Sequence, residues 1–163
     1  MLESLIDLFM QSIFTTLVGT WFICYSNFPM WLKGDKTEPT FNYTITTRKG
    51  EKVLLDEVKY LKKGKPKTIT GYDYQDEKDS TAFTWRGKGI LGVLKSEWRV
   101  ALLDPKGEWA VIAFSKTLFT PAGIDIIGRK PDISESTLIE IKNLMAKDEE
   151  LRGYLGSIKR IDK

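Results

Sequence analysis

From Gly19 onward the chain alternates short runs of β-branched and aromatic residues with clusters of turn-forming residues, the pattern of antiparallel strands joined by hairpins. The runs predict eight strands: Gly19 to Ser26, Thr40 to Thr47, Val53 to Leu61, Lys67 to Tyr74, Thr81 to Arg86, Lys95 to Leu103, Glu108 to Phe114 and Gly123 to Arg129. The segments RKGEK (Arg48 to Lys52), KKGKP (Lys62 to Pro66), QDEKD (Gln75 to Asp79) and DPKGE (Asp104 to Glu108) are short enough for hairpin turns. Two stretches have a helical period instead. Leu2, Leu5, Ile6, Phe9, Ile13 and Leu17 predict an amphipathic helix over 1–17. Leu138, Ile141, Leu144 and Met145, following the helix-start residues Ser134, Glu135 and Ser136, predict a second helix over 134–153. Its apolar stripe needs a surface, and the outer wall of a sheet provides one.

Eight consecutive hairpin-linked strands close into an up-and-down barrel, which removes exposed edges and leaves an interior able to hold one small ligand. The fold class expected is all-β, an eight-stranded antiparallel barrel over 18–130 with both helices outside, in one domain spanning 1–163. Period-two alternation points Ile23, Tyr25, Phe41, Tyr43, Val58, Tyr60, Tyr72, Phe83, Trp85, Trp98, Val100, Ile112 and Phe114 inward. Either these aromatics fill a packed core or they line a cavity suited to an amphiphile. In an eight-strand meander the start of the first strand and the end of the last share one rim, so Trp21 and Arg129 face each other.

That pair carries a family resemblance. LVGTWFICYS (Leu17 to Ser26), with Gly19 and Trp21, resembles the Gly-x-Trp opening of the lipocalins, and GIDIIGRKP (Gly123 to Pro131) resembles the end of their last strand, with its arginine. The resemblance implies that Trp21 packs across the closed end beneath Arg129, as a structural plug with a cation–π contact. It also turns the balance toward a cavity, with Tyr25, Trp31, Tyr43, Tyr60, Tyr72, Phe83, Trp85, Trp98 and Phe114 as ligand-binding residues. Gly107, Glu108 and Trp109 stand where the family often has Thr-Asp-Tyr, Asp125 replaces an aromatic, and the usual disulfides have no counterpart. Those departures suggest a distant, bacterial-type member.

The loops after strands one, three, five and seven then form the open rim. The first, Asn27 to Pro39, holds Phe28, Met30 and Trp31 in a stretch long enough to act as a lid, and Leu118 and Phe119 sit on the last. Lys62, Lys63, Lys65, Lys67, Arg86, Lys88, Lys95 and Lys116 give the mouth eight positive charges, while Lys33 and Lys36 cancel Asp35 and Glu38, in a chain whose net charge is only +3. Such a rim either attracts anions or is a set of solvated hairpin tips.

The absence of histidine excludes Ser-His and Cys-His nucleophiles and every His-ligated haem or zinc site, and Cys24 is the only cysteine. No cofactor and no metal is expected. The main expectation is binding, transport or sequestration of a small hydrophobic, anionic ligand such as a fatty acid or lysophospholipid. Two alternatives are an isomerase or oxidoreductase acting on a lipid-like substrate through Asp125, Asp73, Glu97 or Asp56, and a module docking on an anionic membrane or a partner. Nucleic acid is not expected, because the lysines sit on separate loop tips. With Glu3 and Asp7 near the start in place of Lys or Arg, and one cysteine, a cytoplasmic setting is expected.

Overall fold

A computed structural model describes residue 2 and residues 13–162. The strands are β1 (Gly19–Ser26), β2 (Lys36–Arg48), β3 (Glu51–Lys62), β4 (Lys65–Gln75), β5 (Ala82–Gly87), β6 (Lys95–Leu103), β7 (Trp109–Phe114), β8 (Gly123–Gly128) and β9 (Lys159–Arg160). Each of the first eight pairs with its sequence neighbours, and β1 pairs with both β8 and β2, so the sheet closes into the antiparallel barrel the periodicity predicts. A short helix, Pro29–Leu32, lies in the loop after β1, and the C-terminal helix, Glu135–Lys147, packs on the outer wall.

The strands outrun their apolar segments where turn chemistry allows. Lys49 and Gly50, and again Lys63 and Gly64, all have φ between 51° and 80°. These two-residue primed turns match the twist of paired strands, so the β2–β3 and β3–β4 ladders continue to the hairpin tips. The C-terminal helix is shorter than predicted. Ser134 caps its start by accepting the Thr137 amide at 3.2 Å. It stops at Lys147 because Asp148 turns extended and its carboxylate takes the amides of Glu150 and Leu151, each at 2.9 Å. Gly153 falls in a separate 3-10 turn, Leu151–Tyr154. β9, which has no apolar signature, pairs with Tyr25 and Ser26, the end of β1 that β2 leaves uncovered.

Two apolar clusters result. Trp109, Val111, Ile124 and Ile126 face outward and are covered by Ile141, Met145 and Leu151. The interior cluster runs from Trp21, Ile127 and Ala110 at one end to Trp31 and Phe28 at the other. Residues 13–17 are helical, and Ile13, Phe14 and Leu17 bury into this inner cluster, with Phe14 edge-on to Phe83 at 5.9 Å. The remainder of the predicted 1–17 helix lies outside the described residues, apart from residue 2.

Candidate functional site

One end of the barrel is sealed. Trp21 is fully buried and donates from Nε1 to the Leu17 carbonyl at 2.9 Å. The Arg129 guanidinium lies 3.6 Å above the indole centroid and donates to the carbonyls of Thr16, Val18 and Thr20. Gly19 has φ +108°, and a Cβ there would sit 3.2 Å from the Arg129 guanidinium, so glycine serves both the backbone and the close approach. Gly19, Trp21 and Arg129, expected as a structural set, lie together at this end of the barrel.

The other end is open. A cavity of about 430 Å³ runs from the barrel interior to the loops after β1, β5 and β7. Trp31, Phe41, Tyr43, Trp85, Trp98 and Phe114 supply most of its wall, and Val93, Leu118 and Phe119 stand at its mouth. Trp98 organises the wall: it stacks on Phe83 at 4.6 Å and on Tyr43 at 6.0 Å. Room for Trp85 comes from Gly71, where a Cβ would lie 2.2 Å from the indole nitrogen. A volume in this range suits one small organic molecule.

The apolar wall surrounds a group of acids. Asp56, Asp73 and Asp125 are buried, and Asp56 and Asp125 line the cavity. Asp73 accepts from Trp98 Nε1 at 2.8 Å and is hydrogen-bonded to Asp56, while Asp125 accepts from Ser26. With all three ionised, Oδ1 of Asp56, Oδ2 of Asp73 and Oδ1 of Asp125 have no donor. Burial raises Asp73 and Asp125 to about 7 each. Burial, then the neighbouring Asp73 carboxylate, pushes Asp56 well above the ordinary carboxylate range, so the two carboxyls titrate as a pair. Tyr43 is pushed up by burial first and then by all three acids, which places its ring among them. Among the described residues Lys95 is the one cationic side chain on the cavity wall, half exposed and 3.2 Å from Glu97. Among the described residues no three acidic or thiol side chains converge closely enough to hold a metal ion. The acids are equipped to hold a cation, accept a donor, or exchange a proton near neutral pH.

No protein-family model and no curated protein sequence matches the chain. Solved structures do. Lobster apocrustacyanin A1 superposes with TM-score 0.65 at 7% identity, over 91% of this chain and 78% of that one. Insecticyanin from the tobacco hornworm gives 0.66 at 10%, over 91% and 79%. The possum milk whey lipocalin trichosurin, solved with bound 4-ethylphenol, gives 0.56 at 15%, over 88% and 94%. This chain has the lipocalin fold. Sequence identities this low establish the architecture and leave the ligand to the residues.

Within the lipocalin barrel, Trp31, Tyr43, Trp85, Trp98 and Phe114 come together on the cavity wall. Tyr60 backs it, edge-on to Trp31 at 5.7 Å, and Phe83 lies behind Trp98. Two residues expected inside are elsewhere. Tyr25 packs in the outer cluster, because the β1–β8 register shifts between Ile23 and Tyr25 and this bulge turns the side chains over, sending Ser26 inward beside Asp125. Tyr72 sits under the Arg48 guanidinium at 4.2 Å, since in β4 it is Gly71 and Asp73 that face the lumen. Of the four carboxylates considered for chemistry, Glu97 points to solvent with its side chain 58% exposed, and the other three are buried. Phe28, Val58, Ser96 and Asp125 also line the cavity and were not assigned to ligand contact. The available signal for the acids was parity: Asp56 shares a face with Leu54 and Val58, and Asp125 interrupts the apolar run GIDIIG.

Proposed function

We propose that the chain binds a small, mostly apolar molecule inside the barrel and carries or sequesters it. The observation that carries this reading is a hollow, aromatic interior sealed at the Trp21 end and open at the Trp31 end. The small aromatic phenol seen in the possum lipocalin supports an occupant of similar size. Binding is driven by desolvation of the ligand body against Trp98, Phe114 and Trp31, at about 25 cal/mol per Å² of apolar surface removed from water. A fatty acid or lysophospholipid fits this reading tail-first, with its anionic head at the rim beside Lys95, because the buried acids oppose an anion deeper in.

Titration with N-phenyl-1-naphthylamine, read by probe fluorescence and by quenching of tryptophan, is expected to give one site per chain. Val58→Trp, which fills the lumen, is expected to weaken binding at least about tenfold while the chain stays folded, overpacking being worth about 1–3 kcal/mol. Probe that fails to bind, or that binds both proteins alike, contradicts the cavity reading.

A second reading is favoured by the mouth itself. Ile90 (95% exposed), Val93 (88%), Leu118 (96%) and Phe119 (81%) project from two neighbouring loops, flanked by Lys88, Lys95 and Lys116. Exposed apolar tips among lysines suit the surface of an anionic bilayer, from which a ligand could enter directly. No helix among the described residues is long and apolar enough to cross a membrane. Co-sedimentation with phosphatidylserine-containing vesicles is expected at low salt, reduced by Leu118→Ser with Phe119→Ser and by about 0.5 M salt. Equal pelleting of wild type and variant would rule out docking through these tips.

A further inference from the structure

We propose that the barrel cavity selects a ligand bearing a protonated amine, with the ammonium at the Asp125 carboxyl, Asp56 as a second acid on the same cavity wall, and the apolar body against Trp98, Tyr43 and Phe114. This inference rests on the cavity reading and names the ligand class for it. Asp56 and Asp125 are 4% and 1% exposed, both line the cavity, and Asp125 Oδ1 has no donor. A buried polar atom without a partner is rare in a native protein and unfavourable, so two such acids on the wall of an apolar cavity call for a function. Hydrophobic residues would stabilise the barrel better if the acids had only a structural role.

An ammonium meets every requirement of this place. It offers N–H donors to a carboxyl oxygen that lacks one, and it supplies a positive charge opposite the Asp125 carboxylate. The aromatic wall adds the attraction of ring faces for a cation, strongest for tryptophan and largest where water is excluded. Asp73 acts from behind: its contacts with Trp98 and Asp56 hold the aromatic platform and the second acid in place. The lysines of the rim do not reverse this preference. They lie in solvent, where salt screens charges over about 8 Å, whereas Asp56 and Asp125 are buried, where screening is much weaker. The rim thus governs approach and the interior governs the equilibrium.

The test is a matched series on the full chain: phenethylamine, phenethyl alcohol and 3-phenylpropionate displacing N-phenyl-1-naphthylamine at pH 8. These share a ring and a short chain and differ in carrying a positive, no, or a negative charge. Phenethylamine is expected to displace the probe at least about tenfold more effectively than either analogue. In Asp56→Asn with Asp125→Asn the advantage is expected to fall below about threefold, with probe affinity retained as the sign of a folded, hollow barrel. Equal displacement by the alcohol, or stronger displacement by the carboxylate, overturns the amine and leaves the cavity reading standing. An amine preference that survives the double substitution also overturns it. A chain that takes up no probe overturns both.

Discussion

Trp21→Ala is expected to lower the unfolding free energy by about 3–5 kcal/mol, the usual loss for a large aromatic removed from a core. Trp21 is fully buried and ties three layers together: its ring carries Arg129, its Nε1 holds the Leu17 carbonyl, and its body packs in the inner cluster. Removing it leaves a void that the rigid, closed sheet cannot collapse to fill, and it strips the guanidinium of its platform. Because a domain of this size has only about 5–15 kcal/mol in all, the loss is a large share of the total. Arg129→Lys is expected to be milder, about 1–2 kcal/mol, because an ammonium cannot reproduce the planar fork that reaches the carbonyls of Thr16, Val18 and Thr20. Urea unfolding of both variants measures these losses. A Trp21→Ala loss below about 1 kcal/mol would mean that the closed end is not a keystone of the barrel.

The second large effect is a dependence of stability on pH with an unusual sign. Asp125 is raised from an ordinary aspartate value to about 7 by burial, which outweighs its bond from Ser26. Between about pH 4 and 7 the folded chain therefore keeps a proton that the unfolded chain has released. The stabilisation linked to this group is fully present below the unfolded value and is lost as pH rises through 7. Raising the group from an ordinary aspartate value to about 7 corresponds to at most about 4 kcal/mol. Asp73 contributes in the same direction, and Asp56, joined to it, titrates as part of that pair. Asp125→Asn keeps the shape and removes the titration. The stability of this variant relative to wild type is expected to rise steadily from pH 4 to pH 8, since most other groups cancel in the difference. A difference that stays flat, or that shifts in favour of the wild type with rising pH, would show that Asp125 is not buried as an acid of raised pKa.

The barrel was legible because its strands alternate cleanly, its turns carry Lys-Gly or Asp/Gly signals, and the Gly19, Trp21 and Arg129 set has a geometric meaning that topology alone supplies. What alternation could not resolve was any position where the lumen departs from apolar. Tyr25 was misplaced by a bulge, which moves one side chain and leaves no trace in composition. Tyr72 was misplaced because a tyrosine next to an aspartate reads as the buried member of the pair, while here the aspartate is inside and bound to Trp98. The same bias concealed the buried acids as a ligand-binding feature: a scale that sends carboxylates to solvent cannot anticipate Asp56 and Asp125 on a cavity wall. The end of the C-terminal helix was set by a side-chain turn at Asp148, a local competition that periodicity does not register.

A crystal structure of the chain grown with N-phenyl-1-naphthylamine tests the central claim most directly, because it locates the occupant as well as detecting it. The expected result is one probe molecule inside the barrel, its rings against Trp98 and Phe114 and the Trp21 end unchanged. A lumen closed by turned-in Trp31 and Trp85 side chains, with the probe found only on the outer surface, would contradict it.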